Sequence, residues 1–184
     1  MKSMQNIKQT EDILTEDSRV KLLNWILNNS LLEDDEYEKK AFAIAWCDKT
    51  LPEKLSFFKT SEYNVYNCVF FTTTNNGYIE EHIDTDFVKF LKTTSKYSHI
   101  IAGYPSTSVY YVQIDNNMIG GELVVGDEMV KPKQNSCLEI DRGVRHSVNK
   151  ILKTSLARVA IACERYKIMS SHVNQIDFPV ARPG

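Results

Sequence analysis

The pattern of apolar positions changes along this 184-residue chain, from helical spacing near its start to continuous β-type runs later, and the change divides it. Over residues 16–28 (EDSRVKLLNWILN), Val20, Leu23, Ile26 and Leu27 follow the spacing of one helical face, behind Thr15 and Ser18, whose short hydroxyl side chains suit a helix N-terminus. An amphipathic helix is expected there. Residues 33–47 carry both signals: EDDEYEKK suits a charged first turn, whereas AFAIAW alternates large and small apolar residues as a strand does. The expectation is helix to about Lys40, then strand or helix. Leu51-Pro52-Glu53-Lys54-Leu55 predicts a short helix with proline in its first turn, which residues 56–59 extend.

From Tyr63 onward the signals change to β, in runs rich in Val, Ile, Phe, Tyr and Thr separated by clusters of Asn, Gly, Pro and Asp. Strands are expected near 63–73, 78–84, 107–115, 121–126, 136–141, 144–150 and 156–167. None of the seven glycines precedes Gly77 and six lie between Gly77 and Gly143, so the tight turns belong to this half. Short strands after a helical third predict an α+β fold, with helices packed on a β-sandwich or jelly-roll barrel. The segment 85–106 is too long for a hairpin loop and partly helical in pattern (Phe87, Phe90, Leu91), which reads as a lid or binding loop.

Composition narrows the classes. At this length the chain is expected to be one domain, residues 1–184, with a helical part to about 60 and a jelly-roll core over about 61–168. Roughly 70% of the unfolded surface is then buried. With 22 Lys+Arg against 24 Asp+Glu the net charge is −2, and no excess of cations exists to neutralise phosphates, so no nucleic-acid partner is expected. No run of 18 apolar residues occurs and the start, MKSMQNIKQTED, lacks an apolar signal region, so a cytoplasmic protein with no membrane partner is expected. Cys47, Cys68, Cys137 and Cys163 show no C-x-x-C spacing, which reads as reduced, packed thiols. The acidic run Glu33-Asp34-Asp35-Glu36 reads as a solvated surface.

The chemistry concentrates in a few residues. In NNGYIEEHIDTD, a turn at Asn75-Asn76-Gly77 leads into His82-Ile83-Asp84, and side chains at i and i+2 of a strand share a face. By itself such a pair is common on surfaces. A second histidine, His146, follows a Gly-containing turn in SCLEIDRGVRHSVNKI. Two histidines and one carboxylate leave adjacent positions open on a metal and suit non-haem Fe(II), whereas a structural zinc wants four closed ligands. Arg158 sits among apolar residues in SLARVAIAC, in a strand with no neighbouring acid to pair it, so a bound carboxylate is a fitting mate; the plainer reading is an arginine snorkelling at the barrel edge.

In this order His82-Ile83-Asp84, Tyr110-Tyr111-Val112-Gln113, Gly120-Gly121-Glu122-Leu123, His146 and Arg158 resemble the Fe(II)- and 2-oxoglutarate-dependent dioxygenases, and within them the prolyl-hydroxylase-like group. The resemblance covers residues 63–166. It implies a double-stranded β-helix (jelly-roll, cupin-like) core with N-terminal helices packed on one sheet. It also implies iron held by His82, Asp84 and His146, with Arg158 on the distal carboxylate of 2-oxoglutarate and the Tyr111 hydroxyl as second donor. The activity implied is hydroxylation of an unactivated C–H of an amino-acid or peptidyl substrate, a prolyl residue among the candidates, with O2 consumed and 2-oxoglutarate converted to succinate and CO2. Retention of Asp84 sets the chain apart from the halogenating relatives, where a small residue makes room for halide. The departures are the 85–106 segment and Gln113 in place of the usual Asn. The competing class is a cupin-like metal-binding barrel without oxygenase activity, which has no need of an Arg158 equivalent.

For substrate contacts, strict alternation along 78–84 puts Tyr78 and Glu80 on the face of His82, while Arg142 and Arg145 flank His146; each reads equally well as a solvent-facing residue. His99 and His172 read as structural or exposed. Gly120-Gly121 reads as a bulge or turn.

Overall fold

A computed structural model of the chain describes residues 7–35 and 39–183. Two antiparallel sheets face each other. The elements in chain order are β1 (Ile7–Thr10), α1 (Glu16–Leu27), β2 (Glu33–Asp35), β3 (Lys39–Cys47), a 3-10 helix (Glu53–Phe58), β4 (Val65–Thr73), β5 (Ile79–His82), α2 (Asp86–Thr93), β6 (Ser106–Gln113), β7 (Leu123–Val125), β8 (Glu128–Val130), β9 (Ser136–Ile140), β10 (His146–Val148), β11 (Arg158–Tyr166), α3 (Ser170–Val173) and β12 (Val180–Pro183). The main sheet runs β1-β9-β6-β11-β4-β3-β12, with β2 on β3, and the small sheet runs β5-β10-β7-β8. This is a double-stranded β-helix with helices against one sheet.

The alternation of β11 explains the layering. Val159, Ile161 and Cys163 point outward into the core shared with α1 and the 3-10 helix, while Ala160 and Ala162 point inward toward the small sheet. The inward row on β3 is Ala41, Ala43 and Ala45, all buried, and these small side chains keep the inter-sheet space open at that edge.

Helix α1 forms where expected, with Thr15 accepting from the Ser18 N–H at 3.3 Å. Its buried line differs. Leu22 and Ile26 are buried with Arg19, whereas Val20 and Leu27 are exposed, because the Arg19 guanidinium reaches under the helix to the Val112 carbonyl at 2.8 Å and sets its rotation. The expectation of helix to about Lys40 is overturned: Glu33–Asp35 is strand β2, paired with the start of the nine-residue strand Lys39–Cys47, and the ladders of β3 with β2, β4 and β12 outweigh the helical look of the charges. The first 60 residues are therefore only partly helical. The surface reading of Glu33-Asp34-Asp35-Glu36 falls outside the described residues and side chains.

The 85–106 segment is packed, not loose. Phe87, Leu91, Tyr97 and Ile100 are buried with Val65, Tyr166, Ile168 and Ile176 in a third cluster, leaving Ile101 and Tyr104 as its exposed apolar residues. Gly120 and Gly121 both adopt positive φ (82° and 75°), and a Cβ on Gly120 would stand 2.1 Å from the Lys150 carbonyl oxygen. Among the described residues no helix is long and apolar enough to cross a membrane.

Candidate active site

Strands β5 and β10 pair antiparallel with His82 directly opposite His146, which sets the two imidazole rings 4.4 Å apart between their centroids. Asp84, just past the end of β5, turns back between them: its Oδ1 lies 3.1 Å from His82 Nε2 and its Oδ2 lies 3.3 Å from His146 Nε2. One ligand atom from each residue falls within 4.8 Å of the others. The cluster is open on one side only, since the side chain of His82 is 39% exposed, against 11% for Asp84 and 7% for His146.

Hydrogen bonds around the cluster fix which atoms face inward. His82 Nδ1 lies 2.8 Å from the Glu80 carbonyl oxygen and His146 Nδ1 lies 3.1 Å from that of Val144. A carbonyl only accepts, so both Nδ1 atoms donate, and each Nε2 faces Asp84, donating to the carboxylate while it carries a proton and offering a lone pair once a metal ion takes the proton's place. The Thr107 hydroxyl of β6 donates to Asp84 Oδ2 at 2.6 Å, tying the loop to the main sheet. Burial works against ionisation of Asp84, but the hydrogen bonds from His146, His82 and Thr107 outweigh it and hold the carboxyl below the usual carboxylate range. Two imidazole Nε2 atoms and a carboxylate converging at these separations can share one positive centre, and the donor set fits a divalent metal ion.

Across the inter-sheet space, at the start of β11, Arg158 is 1% exposed, and its Nε and Nη1 have no hydrogen-bond partner. Its guanidinium carbon lies 5.2 Å from the centroid of the Tyr111 ring. The Tyr111 hydroxyl is also buried without a partner, and burial pushes its pKa up, keeping it a neutral donor. The Thr73 hydroxyl, on the residue opposite Arg158 in β4, is a third orphan. Buried polar groups are almost always satisfied, so orphan donors on neighbouring strands beside one cation mark a place for an anion. Tyr110 faces the other way and donates to Asn135 Oδ1 at 2.8 Å.

The substrate residues fare differently. The register between β5 and β10 shifts: His146 pairs with His82, but Val148 pairs with Ile79. This bulge breaks the alternation, puts Ile79 on the inner face with His82, and leaves Glu80 and Glu81 both exposed. Strict alternation, the premise on which Tyr78 and Glu80 were expected to share the face of His82, does not hold along β5. Arg142 is turned to the outer side, where it donates to the Tyr63 hydroxyl at 3.4 Å, and Arg145 makes an exposed ion pair with Glu81 at 3.4 Å. His99 is exposed and bonded to Gln175, remote from the cluster.

No protein-family model and no curated protein sequence matches the chain. Solved structures do. A Pseudomonas putida prolyl-4-hydroxylase superposes with TM-score 0.60 at 13% identity, covering 88% of this chain and 92% of that one. A viral collagen prolyl hydroxylase from Paramecium Bursaria Chlorella virus-1, in complex with 2OG, gives 0.61 at 9% identity over 90% and 97%. A prolyl hydroxylase from Trichoplax adhaerens, in complex with a hypoxia inducible factor peptide fragment, gives 0.57 at 15% identity over 89% and 84%. The chain shares its double-stranded β-helix fold with these structures. Identities this low establish the architecture alone.

On that fold, sequence reasoning missed five polar residues of the inner face: Asn67, Thr73, Thr107, Glu164 and Arg182. Glu164 is 1% exposed and accepts from Asn67 Nδ2 (3.0 Å), the N–H groups of Asp86 (3.1 Å) and Phe87 (3.2 Å), and the Tyr166 hydroxyl (2.6 Å). It thereby caps α2, whose own N-cap residue Thr85 makes no side-chain cap bond. Burial, with the negative charges of Asp84 and Asp86, pushes its pKa up to about 7.

Proposed function

We propose that this protein is an Fe(II)- and 2-oxoglutarate-dependent dioxygenase that hydroxylates an unactivated C–H of an amino-acid or peptidyl substrate. The observation that carries the reading is the buried guanidinium of Arg158, whose Nε and Nη1 have no partner, facing the same inter-sheet space as a cluster of two histidines and one carboxylate. Neither feature selects a cofactor by itself, since an arginine can rest on a tyrosine ring and a His–Asp cluster can hold many divalent ions. Together they match a cofactor that needs a metal at one end and a carboxylate anchor at the other.

His82, Asp84 and His146 would hold the metal, with Arg158 and Tyr111 on the distal carboxylate of 2-oxoglutarate. When bound, the metal and 2-oxoglutarate supply the oxidising power to insert an oxygen atom from O2 into a C–H bond, with succinate and CO2 as co-products. The chain supplies the rest. Glu80 and Val144 carbonyls fix the histidine tautomers, Thr107 orients Asp84, and the planar guanidinium of Arg158 offers a carboxylate two parallel donors that a lysine could not. Apolar walls, among them Val109, Val125, Val148 and Ala160, exclude water from the inter-sheet space. A cupin-like barrel without oxygenase activity leaves Arg158 unexplained. A cytoplasmic setting agrees with four free cysteines, three of them buried.

The test is anaerobic titration of Fe(II)-loaded protein with 2-oxoglutarate, following the visible metal-to-ligand charge-transfer band in wild type and Asp84→Ala. A band in wild type that weakens with iron loss in Asp84→Ala supports the reading. Folded, iron-replete protein without a band overturns it.

A further inference from the structure

Beside the turn that follows β3 lies a cavity of about 530 Å³ that shares no lining residue with the metal cluster or with the Arg158 pocket. Its floor is apolar. Val173, Ile176 and Phe178 reach it from the third core cluster, and Ile176 is itself buried. Its rim carries two exposed cations, Lys49 and Lys167. Small-molecule sites run from about 300 to 1,000 Å³ and pair apolar walls with a few polar groups, and this cavity meets both conditions.

The rim is held in place by the sheet. Cys47 of β3 and Tyr166 of β11 both stand in register with Val65 of β4, so the two strands leave the sheet two spacings apart, about 10 Å. Asn64 locks these exits together. Its side chain donates to the Ile168 carbonyl at 2.7 Å and accepts from the Ile168 N–H at 2.9 Å. Its backbone N–H donates to the Tyr166 carbonyl at 2.9 Å, and its carbonyl accepts from the Asp48 N–H at 3.2 Å. Lys49 and Lys167 follow directly on Asp48 and Tyr166, so both cations start from neighbouring, fixed points of one rim.

What the cavity lacks is a counter-charge. Among the described residues the Lys49 and Lys167 ammonium groups meet no carboxylate, and the side chains of Ser170 and Asn174 on the same lining make no hydrogen bond. Asp48, the one acid of the lining, has other partners: its Oδ1 accepts from the Tyr66 hydroxyl at 3.1 Å and lies 3.8 Å from Lys59 Nζ. Two clefts of similar size differ on this point. In the cleft beside α1, Lys21 is paired with Asp17 at 2.6 Å and Lys54 lies 4.2 Å over the Trp25 ring. In the cleft between β1 and β8, Lys8 shares the lining with Glu128.

We propose that this cavity binds an organic oxyanion, a carboxylate or phosphate carried on an apolar body. Lys49 and Lys167 receive the head group, and Val173, Ile176 and Phe178 support the body. The inference does not rest on the dioxygenase reading. Lysine acts on an oxyanion as a mobile point charge, and its hydrocarbon stem extends an apolar floor. The lysines alone would attract anions of any shape, and the floor selects an amphipathic one.

Cys47 supplies the reporter, since it lines the same cavity and is the one thiol of the four that is not buried. The test follows its alkylation by iodoacetamide, read by peptide mass spectrometry, with decanoate, decyl phosphate, decyltrimethylammonium or decanol present below any micellar concentration. Decanoate or decyl phosphate should slow the labelling and raise the melting midpoint in a parallel thermal-shift titration, and the cation and the alcohol should do neither. The stronger of the two anions tells a carboxylate ligand from a phosphate. Lys49→Ala and Lys167→Ala should each weaken binding about tenfold, the worth of one charge-assisted bond. Both should leave the ligand-free midpoint unchanged, because the lysines are exposed and unpaired. Equal protection by all four probes overturns the proposal, as does an unshifted midpoint with no protection by either anion. An anion preference that survives in the double variant Lys49→Ala/Lys167→Ala overturns it as well. If Cys47 resists alkylation in the free protein, the thermal-shift comparison decides alone.

Discussion

Replacing Arg158 by methionine separates a cofactor anchor from a structural arginine, because the two make opposite predictions for the ligand-free protein. Arg158 is 1% exposed and two of its nitrogens lack partners. Leaving a buried donor unsatisfied costs about 1–3 kcal/mol, and an unpaired buried charge costs more. Methionine fills most of the volume and removes that penalty, at the loss of a cation–π contact with Tyr111 worth about 0.5–2 kcal/mol. The net effect on the free protein should lie between zero and a gain of about 2 kcal/mol, and at roughly 2–4 °C per kcal/mol for this chain length the melting midpoint should hold or rise by a few degrees. The effect on 2-oxoglutarate runs the other way. Removing one partner of a buried charge pair costs about 2–5 kcal/mol, a roughly thirty- to several-thousand-fold loss of affinity. The assay is the midpoint of the metal-loaded protein with and without 2-oxoglutarate, with the dissociation constant from anaerobic titration. A midpoint that drops by many degrees, with affinity changed only a few fold, would refute the reasoning and make Arg158 a structural residue.

Thr107→Val, which is nearly isosteric and removes the 2.6 Å bond to Asp84, should weaken Fe(II) or Co(II) binding by about 10–100-fold with little change in the metal-free midpoint, read by metal competition. Gly120→Ala should destabilise the fold by at least about 2 kcal/mol in urea titrations, since the new Cβ meets the Lys150 carbonyl at 2.1 Å on a backbone already at φ 82°. For Glu164, whose pKa is pushed up to about 7, the folded protein keeps a proton between the ordinary glutamate range and about pH 7 that the unfolded chain has released. Stability of the metal-free protein should therefore fall as pH rises through that window, by up to about 3 kcal/mol relative to Glu164→Gln, and stay level above it. A difference between the two proteins that is flat or rises with pH would show that the four donors around Glu164 keep it ionised throughout.

Much of the β half was legible because its strands are runs dense in β-branched and aromatic residues, bounded by clusters of Asn, Gly, Pro and Asp. The runs expected at 63–73, 107–115, 136–141 and 156–167 correspond to β4, β6, β9 and β11 within a few residues. The first third was not. Residues 39–47 were ambiguous because small alanines alternate with large residues, a pattern that either helix or strand accommodates until neighbours are known. What decides it is the ladder with β4 and β12, from residues 18 or more positions away. β1 was invisible for the same reason: IKQT has almost no apolar signal and exists as a strand because β9 offers it an open edge.

The site shows both the reach and the limit of counting by twos. Counting from Arg158 through Ala160 and Ala162 arrives at Glu164, and counting from Tyr111 through Val109 arrives at Thr107. Both overlooked residues were thus within reach of the anchors already identified, and they stand beside each other in the register. Along β5 the same count fails. A bulge between Ile79 and His82 adds one residue to the strand, so Ile79, not Glu80, accompanies the histidine inward. A bulge leaves no apolar signature of its own, because the extra residue here is a solvent-exposed glutamate in a run of two. The same extra residue leaves the Glu80 carbonyl 2.8 Å from His82 Nδ1, and that contact fixes the tautomer that turns Nε2 toward Asp84. The irregularity that defeats the sequence pattern is therefore part of what brings His82, Asp84 and His146 together as a candidate metal site.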